Sequence, residues 1–170
     1  AYVANITPGT LSIVDLAGDT PPAVVKVGTM TEAIAASPDG KMVWMGSNNT
    51  GKVFVVDLAK RAVVDSVQTS GFPYRIGFTP DSRTAIVNNP MSNEIWIFDA
   101  QTRAVKAKIA VTDPDGGNAA PFGLIVSPKG GKAWITMNGG AKVAELDIAT
   151  ATLTRWMATG AGPDGIGLVP

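Results

Sequence analysis

Four residue pairs fall at equivalent places along the chain yet differ in chemical type: Glu32-Ala33, Tyr74-Arg75, Phe122-Gly123 and Asp164-Gly165, separated by steps of 42, 48 and 42 residues. They offer two carboxylates, a guanidinium, a phenol and a second aromatic ring, and proline precedes three of them at Pro73, Pro121 and Pro163. Brought to one mouth, such groups hold a small polar ligand through charge, hydrogen bonding and stacking. Asn49, Asn89 and Asn138 add amide groups on the same expected side, although asparagine is also a turn residue in its own right. A second set of acids, Asp15, Asp57, Asp99 and Asp147, recurs at steps of 42, 42 and 48. One copy per repeat at the same turn points to carboxylates that bond backbone amides, not to metal ligands.

The chain contains no histidine and no cysteine. Thiol nucleophiles, disulfides, zinc sites of the usual ligand set, histidine-ligated haem and histidine-dependent triads are therefore outside its means. No catalytic residue, metal or cofactor is expected; any acid-base chemistry would have to run on Glu32, Arg75 and Asp164. The run Asp113-Pro114-Asp115-Gly116-Gly117-Asn118 holds two carboxylates and an amide but lacks the alternating ligands and distal glutamate of a calcium loop, so a solvated insertion is expected there. Glu145 takes a strand position that Ile13, Val55 and Ile97 hold elsewhere, which calls for a partner, with Arg155 on the following strand as the candidate.

Fourteen basic residues balance fourteen acidic ones with no block of like charge, so the field that holds a nucleic-acid backbone or an anionic bilayer is missing. Apolar runs are too short to cross a bilayer, and neither nucleic-acid binding nor membrane insertion is expected. Apolar residues make up 45% of the chain and charged ones 16%, enough for a folded core. The first residue is Ala1, consistent with a leader removed or a longer parent chain.

What positions the candidate residues is an internal repeat. The tetrad Ser37-Pro38-Asp39-Gly40 returns as Thr79-Pro80-Asp81-Ser82, as Ser127-Pro128-Lys129-Gly130 and, shortened, as Val169-Pro170, in the register of the aspartates. A large apolar residue stands thirteen before each aspartate: Tyr2, Trp44, Ile86 and Trp134. Each unit carries four short Val-, Ile- and aromatic-rich segments between Gly, Pro, Asp and Asn clusters, for example Met42 to Met45, Lys52 to Val56, Ala62 to Gln68 and, opening the next unit, Arg75 to Phe78. The fold expected is all-β, a β-propeller of four-stranded antiparallel blades, with about four blades in a single domain over 1–170 and units near 1–40, 41–82, 83–131 and 132–170.

Ala1-Tyr2-Val3-Ala4-Asn5, Leu11-Ser12-Ile13-Val14-Asp15 and Ile34-Ala35-Ala36-Ser37-Pro38-Asp39-Gly40 resemble the YVTN-type β-propeller repeat. The resemblance implies a periplasmic or extracellular scaffold, a class that includes adhesive surface-layer proteins, periplasmic binding proteins and a few enzyme subunits. It also implies rings of about seven blades, more than this chain holds. Three arrangements stay open: a piece of a longer propeller, two copies of the chain completing one eight-bladed ring as a homodimer, or a closed four-bladed ring in which the last strand pairs beside the first three. The function expected is non-enzymatic binding of a small polar ligand or a protein at Glu32, Tyr74, Arg75, Phe122 and Asp164. The alternatives are an enzyme or enzyme subunit of the lactonase or quinone- or haem-dehydrogenase kind, and a module of a larger cell-surface assembly.

Overall fold

A computed structural model of the chain describes residues 1–169. It is all-β: fifteen strands form four antiparallel sheets, each built in chain order. The first sheet comprises β1 (Tyr2–Asn5), β2 (Thr10–Ile13) and β3 (Ala23–Lys26). The second runs β4 (Thr31–Ala36), β5 (Met42–Ser47), β6 (Lys52–Asp57) and β7 (Ala62–Gln68). The third runs β8 (Arg75–Phe78), β9 (Thr84–Asn89), β10 (Glu94–Asp99) and β11 (Val105–Ala110), with a 3-10 turn at Pro90–Ser92 between β9 and β10. The fourth runs β12 (Pro121–Val126), β13 (Lys132–Met137), β14 (Lys142–Asp147) and β15 (Thr152–Ala158). These sheets are about four propeller blades.

The middle strands explain why the blades stack. In β6, Val53 and Val55 point to one face and Phe54 and Val56 to the other, and both sets are apolar. A strand buried on both faces reads as a continuous apolar run, and both faces need partners. Val53 and Val55 join Trp44 of the same blade and Ile76, Phe78, Val87 and Phe98 of the third. Val56, with Val43 and Met45, packs instead on Leu11 and Val25 of the first blade. A third cluster joins Ile86, Ile95 and Ile97 to Ile135, Met137 and Leu146. Trp44 is fully buried and meets Phe78 and Phe98 edge-on at ring-centroid distances of 5.6 and 5.9 Å. The outer strands are largely exposed, and on β7 the polar Asp65, Ser66 and Gln68 blunt the free edge.

The repeated acids sit in turns. Asp15 accepts a hydrogen bond from the backbone N–H of Ala17, Asp57 from that of Lys60, Asp99 from those of Gln101 and Thr102, and Asp147 from that of Thr150. Hydrogen bonds from the Thr102 backbone N–H and side chain, with those of Lys106 and the Gln101 N–H, draw the Asp99 carboxyl down to about 2. At the same turn Arg61, Arg103 and Ala151 take positive φ, and in each of these three blades the pairing of the third and fourth strands shifts by a bulge: at Val55/Val56, Ile97/Phe98 and Glu145/Leu146. The Ser-Pro tetrads likewise close first-to-second strand turns, with Gly40, Ser82 and Gly130 at φ of 71°, 59° and 69°. The shortened fourth copy includes Pro170, outside the described residues.

Of the three arrangements left open, the closed four-bladed ring is not what the described residues form: the first sheet has three strands, and residues 164–169 belong to no sheet. The insertion before β12 is exposed over residues 114–118, as expected, and its ends are seated. Val111, Asp113, Ala119 and Ala120 are buried, because Lys142 reaches across to Asp113 at 2.9 Å and the loop seats on Gly139 and Gly140. Glu145 lies opposite Arg155 in the register but accepts hydrogen bonds from Lys132 on the other neighbouring strand at 2.7 Å and from Thr154 at 3.0 Å.

Two predictions follow from this packing. Replacing Trp44 by alanine empties the second-to-third blade cluster and lowers unfolding free energy by about 3–5 kcal/mol in chemical denaturation. The second concerns acid. Burial disfavours the Glu94 carboxylate, but hydrogen bonds from Lys108, Ser70 and Trp96 prevail and hold its pKa at about 2 against an ordinary 4.5. A folded-state value below the unfolded one gives stability that is complete above pH 4.5 and lost as pH falls toward 2. Thermal midpoints should drop through that window in the wild type and drop less steeply in Glu94→Gln; equal slopes would contradict the assignment.

Candidate functional site

Strands alternate direction, so the segments that enter β4, β8 and β12 lie at one end of the blades, the end away from the Ser-Pro tetrads. Each entry segment is set by the blade before it. Asn88, buried on β9, donates through Nδ2 to the carbonyls of Phe122 and Gly123 at 3.1 and 3.3 Å. One blade further on, Thr136 accepts from the Gly123 N–H at 2.7 Å and donates to the Asp164 carbonyl at 2.8 Å, while Asn138 donates to the Pro163 carbonyl at 3.2 Å. Gly123 leaves the room for this contact: a Cβ there would stand 1.9 Å from the Asp164 carbonyl oxygen. Asp164 therefore rests on the fourth blade as Phe122 rests on the third.

This stacking gathers residues from three repeats. The Tyr74 hydroxyl donates to Asp164 Oδ2 at 3.2 Å, and Arg75 Nη2 lies 3.8 Å from Asp164 Oδ1. The Arg75 guanidinium also sits 4.1 Å from the centre of the Tyr74 ring, and Tyr74 touches Phe122 at 4.7 Å between centroids and Phe72 at 5.9 Å. Burial pushes the Tyr74 hydroxyl above its ordinary value; Arg75 pulls the other way, and the charges of Asp164 and Glu32 add to the rise. Arg75 and Asp164 keep 39% and 45% of their side-chain surface, so their ion pair is loose and open to a competing ligand. Glu32, on β4, accepts a hydrogen bond from Asn48 Nδ2 at 2.5 Å and reaches Tyr74 through its field.

The asparagines separate. Asn49 folds back, its Oδ1 accepting from Ser47 and Thr29. Asn89 is fully buried and accepts from Thr69 at 2.8 Å. Asn138 holds the Pro163 segment. The amide that meets the acidic side of the mouth is Asn48, neighbour of Asn49. Phe72, two residues before Tyr74, also belongs to the cluster and carries no repeat signal. Among the described residues no group of three or more acids could hold a metal ion.

The arrangement can bind a polar ligand with its cation, its two carboxylates and its aromatic faces. Comparisons agree on the architecture. Hydrazine synthase of Kuenenia stuttgartiensis superposes with a TM-score of 0.81 at 23% identity, over 92% of this chain and 45% of that one. The WD40 repeats of RRP9 give 0.66 at 11% identity over 75% and 38%, and U3-55K gives 0.67 at 11% over 75% and 39%. At these identities the likeness is one of fold, and the chain spans less than half the length of each of these structures. No curated protein matches the sequence. Residues 11–161 match the SMP-30/Gluconolactonase/LRE-like region family, and the chain belongs to it.

Proposed function

We infer that the mouth built by Glu32, Tyr74, Arg75, Phe122 and Asp164 binds a small polyhydroxylated carboxylate, and that the blades serve as its scaffold without turning it over. The observation that carries this reading is the loose Arg75–Asp164 pair at 3.8 Å beside a tyrosine and within the field of a second acid. A ligand carboxylate takes the Arg75 guanidinium, which is wetted and imperfectly matched by Asp164. Hydroxyl groups then bond Asp164, Glu32 and Asn48, and the sugar-like carbon face lies on Phe122 and Tyr74. The lack of any histidine supports binding without turnover. The YVTN-like strand Tyr2-Val3-Ala4-Asn5 and the Ser-Pro-Asp-Gly turn support a place outside the cytoplasm, in the periplasm or at the cell surface.

A second reading has a specific observation behind it. The family description includes gluconolactonase, and Glu32 and Asp164 are two carboxylates at one mouth. In that reading one of them would act as a general base on water, attacking a bound lactone.

Titration calorimetry with D-gluconate, together with a pH-stat assay on glucono-δ-lactone, separates the two. Binding without turnover predicts saturable gluconate binding that weakens by about tenfold or more in Arg75→Ala, with lactone loss at the buffer rate. Hydrolysis that disappears in Glu32→Gln or Asp164→Asn would establish the second reading. Failure to bind gluconate in the folded protein would overturn the ligand class.

A further inference from the structure

At the opposite end of the blades, between the second and third, lies a cavity of about 230 Å³. It belongs to none of the residues considered above as a site. Its inner wall is apolar, made by Met42, Trp44 and Phe78, and its rim carries Asp39, Asp81 and Arg103. The rim and wall hold both unfilled donors and unfilled acceptors. Trp44 is fully buried and its Nε1–H finds no hydrogen-bond partner among the described residues. Arg103 Nε likewise has none: Asp65 Oδ2 stands 3.5 Å away, an ion-pair contact without hydrogen-bond geometry.

The acceptors are half-used. Asp39 Oδ1 takes hydrogen bonds from Ser37 Oγ at 2.6 Å and the Lys41 N–H at 3.1 Å, leaving Oδ2 with only the exposed Lys41 ammonium at 3.6 Å. Asp81 Oδ1 takes those of Thr79 Oγ1 at 2.6 Å and the Arg83 N–H at 3.0 Å, and its Oδ2 has no hydrogen bond among the described residues. Both carboxyls are held below their ordinary value, chiefly by the Ser37 and Thr79 hydroxyls, and so stay ionised.

The repeat supplies an internal comparison. The corresponding cavity between the third and fourth blades, about 370 Å³, has Ala149 and Ala151 where the first has Gln101 and Arg103, and its cation, Lys106, comes from a different strand. The pairing of Arg103 with two aspartates over an apolar wall is particular to the first cavity.

We propose that this cleft binds a free α-amino acid with an apolar side chain, its carboxylate on Arg103, its ammonium between Asp81 Oδ2 and Asp39 Oδ2, where it takes the place of the exposed Lys41 ammonium. The side chain then covers Met42 and Phe78. A ligand with one charge alone engages only one side of the rim, Arg103 or the two aspartates, which favours the zwitterion. Because Trp44 is closed off, its indole N–H reports occupancy through a small movement of the ring.

The test is a titration of the folded, 15N-labelled protein with L-leucine and L-phenylalanine, following the Trp44 indole N–H signal, which Trp44→Phe identifies. The expected result is saturable movement of that signal at millimolar ligand. Binding of 4-methylpentanoate and of isopentylamine, which each lack one charge, should be about tenfold weaker or more, as should binding of L-leucine to Arg103→Gln. A Trp44 signal unmoved by either amino acid would overturn the proposal. Equal affinity for the single-charge analogues would do so too, and that comparison uses the wild-type protein and needs no variant to fold.

Discussion

A four-stranded sheet with apolar side chains on both faces cannot be buried by itself. Val53 and Val55 on one side of β6, and Phe54 and Val56 on the other, need separate neighbours, and they obtain them from the third and the first blade. Everything else in the chain follows from that double requirement. The blades must stack in order, their innermost strands must converge, and the connection from the outermost strand of one blade must travel back to the innermost strand of the next. The tight turns serve this stacking: Asp99 and Asp147 tie the outer hairpins, and the Ser-Pro tetrads tie the inner ones.

The candidate site is a by-product of the same stacking, in which a few side chains vary from blade to blade. The returning connection is registered by hydrogen bonds from the preceding blade, through Asn88 to Phe122 and Gly123 and through Thr136 to Asp164. That registration lets Tyr74 meet Asp164, 90 positions later in the chain. The cost is a requirement for glycine at position 123, where any side chain would collide with the carbonyl of Asp164. Strands and turns are therefore held alike from blade to blade, and the entry residues are released to differ.

The repeat made the architecture legible, because Asp, Ser-Pro and the large apolar residue mark each blade in the same phase. The strands were placed to within a residue or two: Lys52 to Val56 was expected and β6 is Lys52–Asp57. Glu32, Tyr74, Arg75, Phe122 and Asp164 could be put at one end by register alone, and the structure places them there. Register does not say which of two adjacent amides faces inward, and so it pointed to Asn49, whereas Asn48 bonds Glu32. It also could not foresee which of several reachable partners a long side chain takes. The Glu145 carboxylate takes Lys132 instead of its register partner Arg155, and the insertion loop is pinned by Lys142 from 29 positions away. The cavity near Trp44 has no signature in the chain, since it arises between two blades that are separately ordinary.

The central claim is that blade stacking brings Tyr74 and Asp164 into direct contact. A double-mutant cycle on Tyr74→Phe and Asp164→Asn, read by chemical denaturation, tests it most directly. The account predicts a coupling energy of roughly 0.5–1 kcal/mol, the value of a partly exposed hydrogen bond to a charged group. Additive effects would mean that the two residues act independently and that the mouth is not built as described.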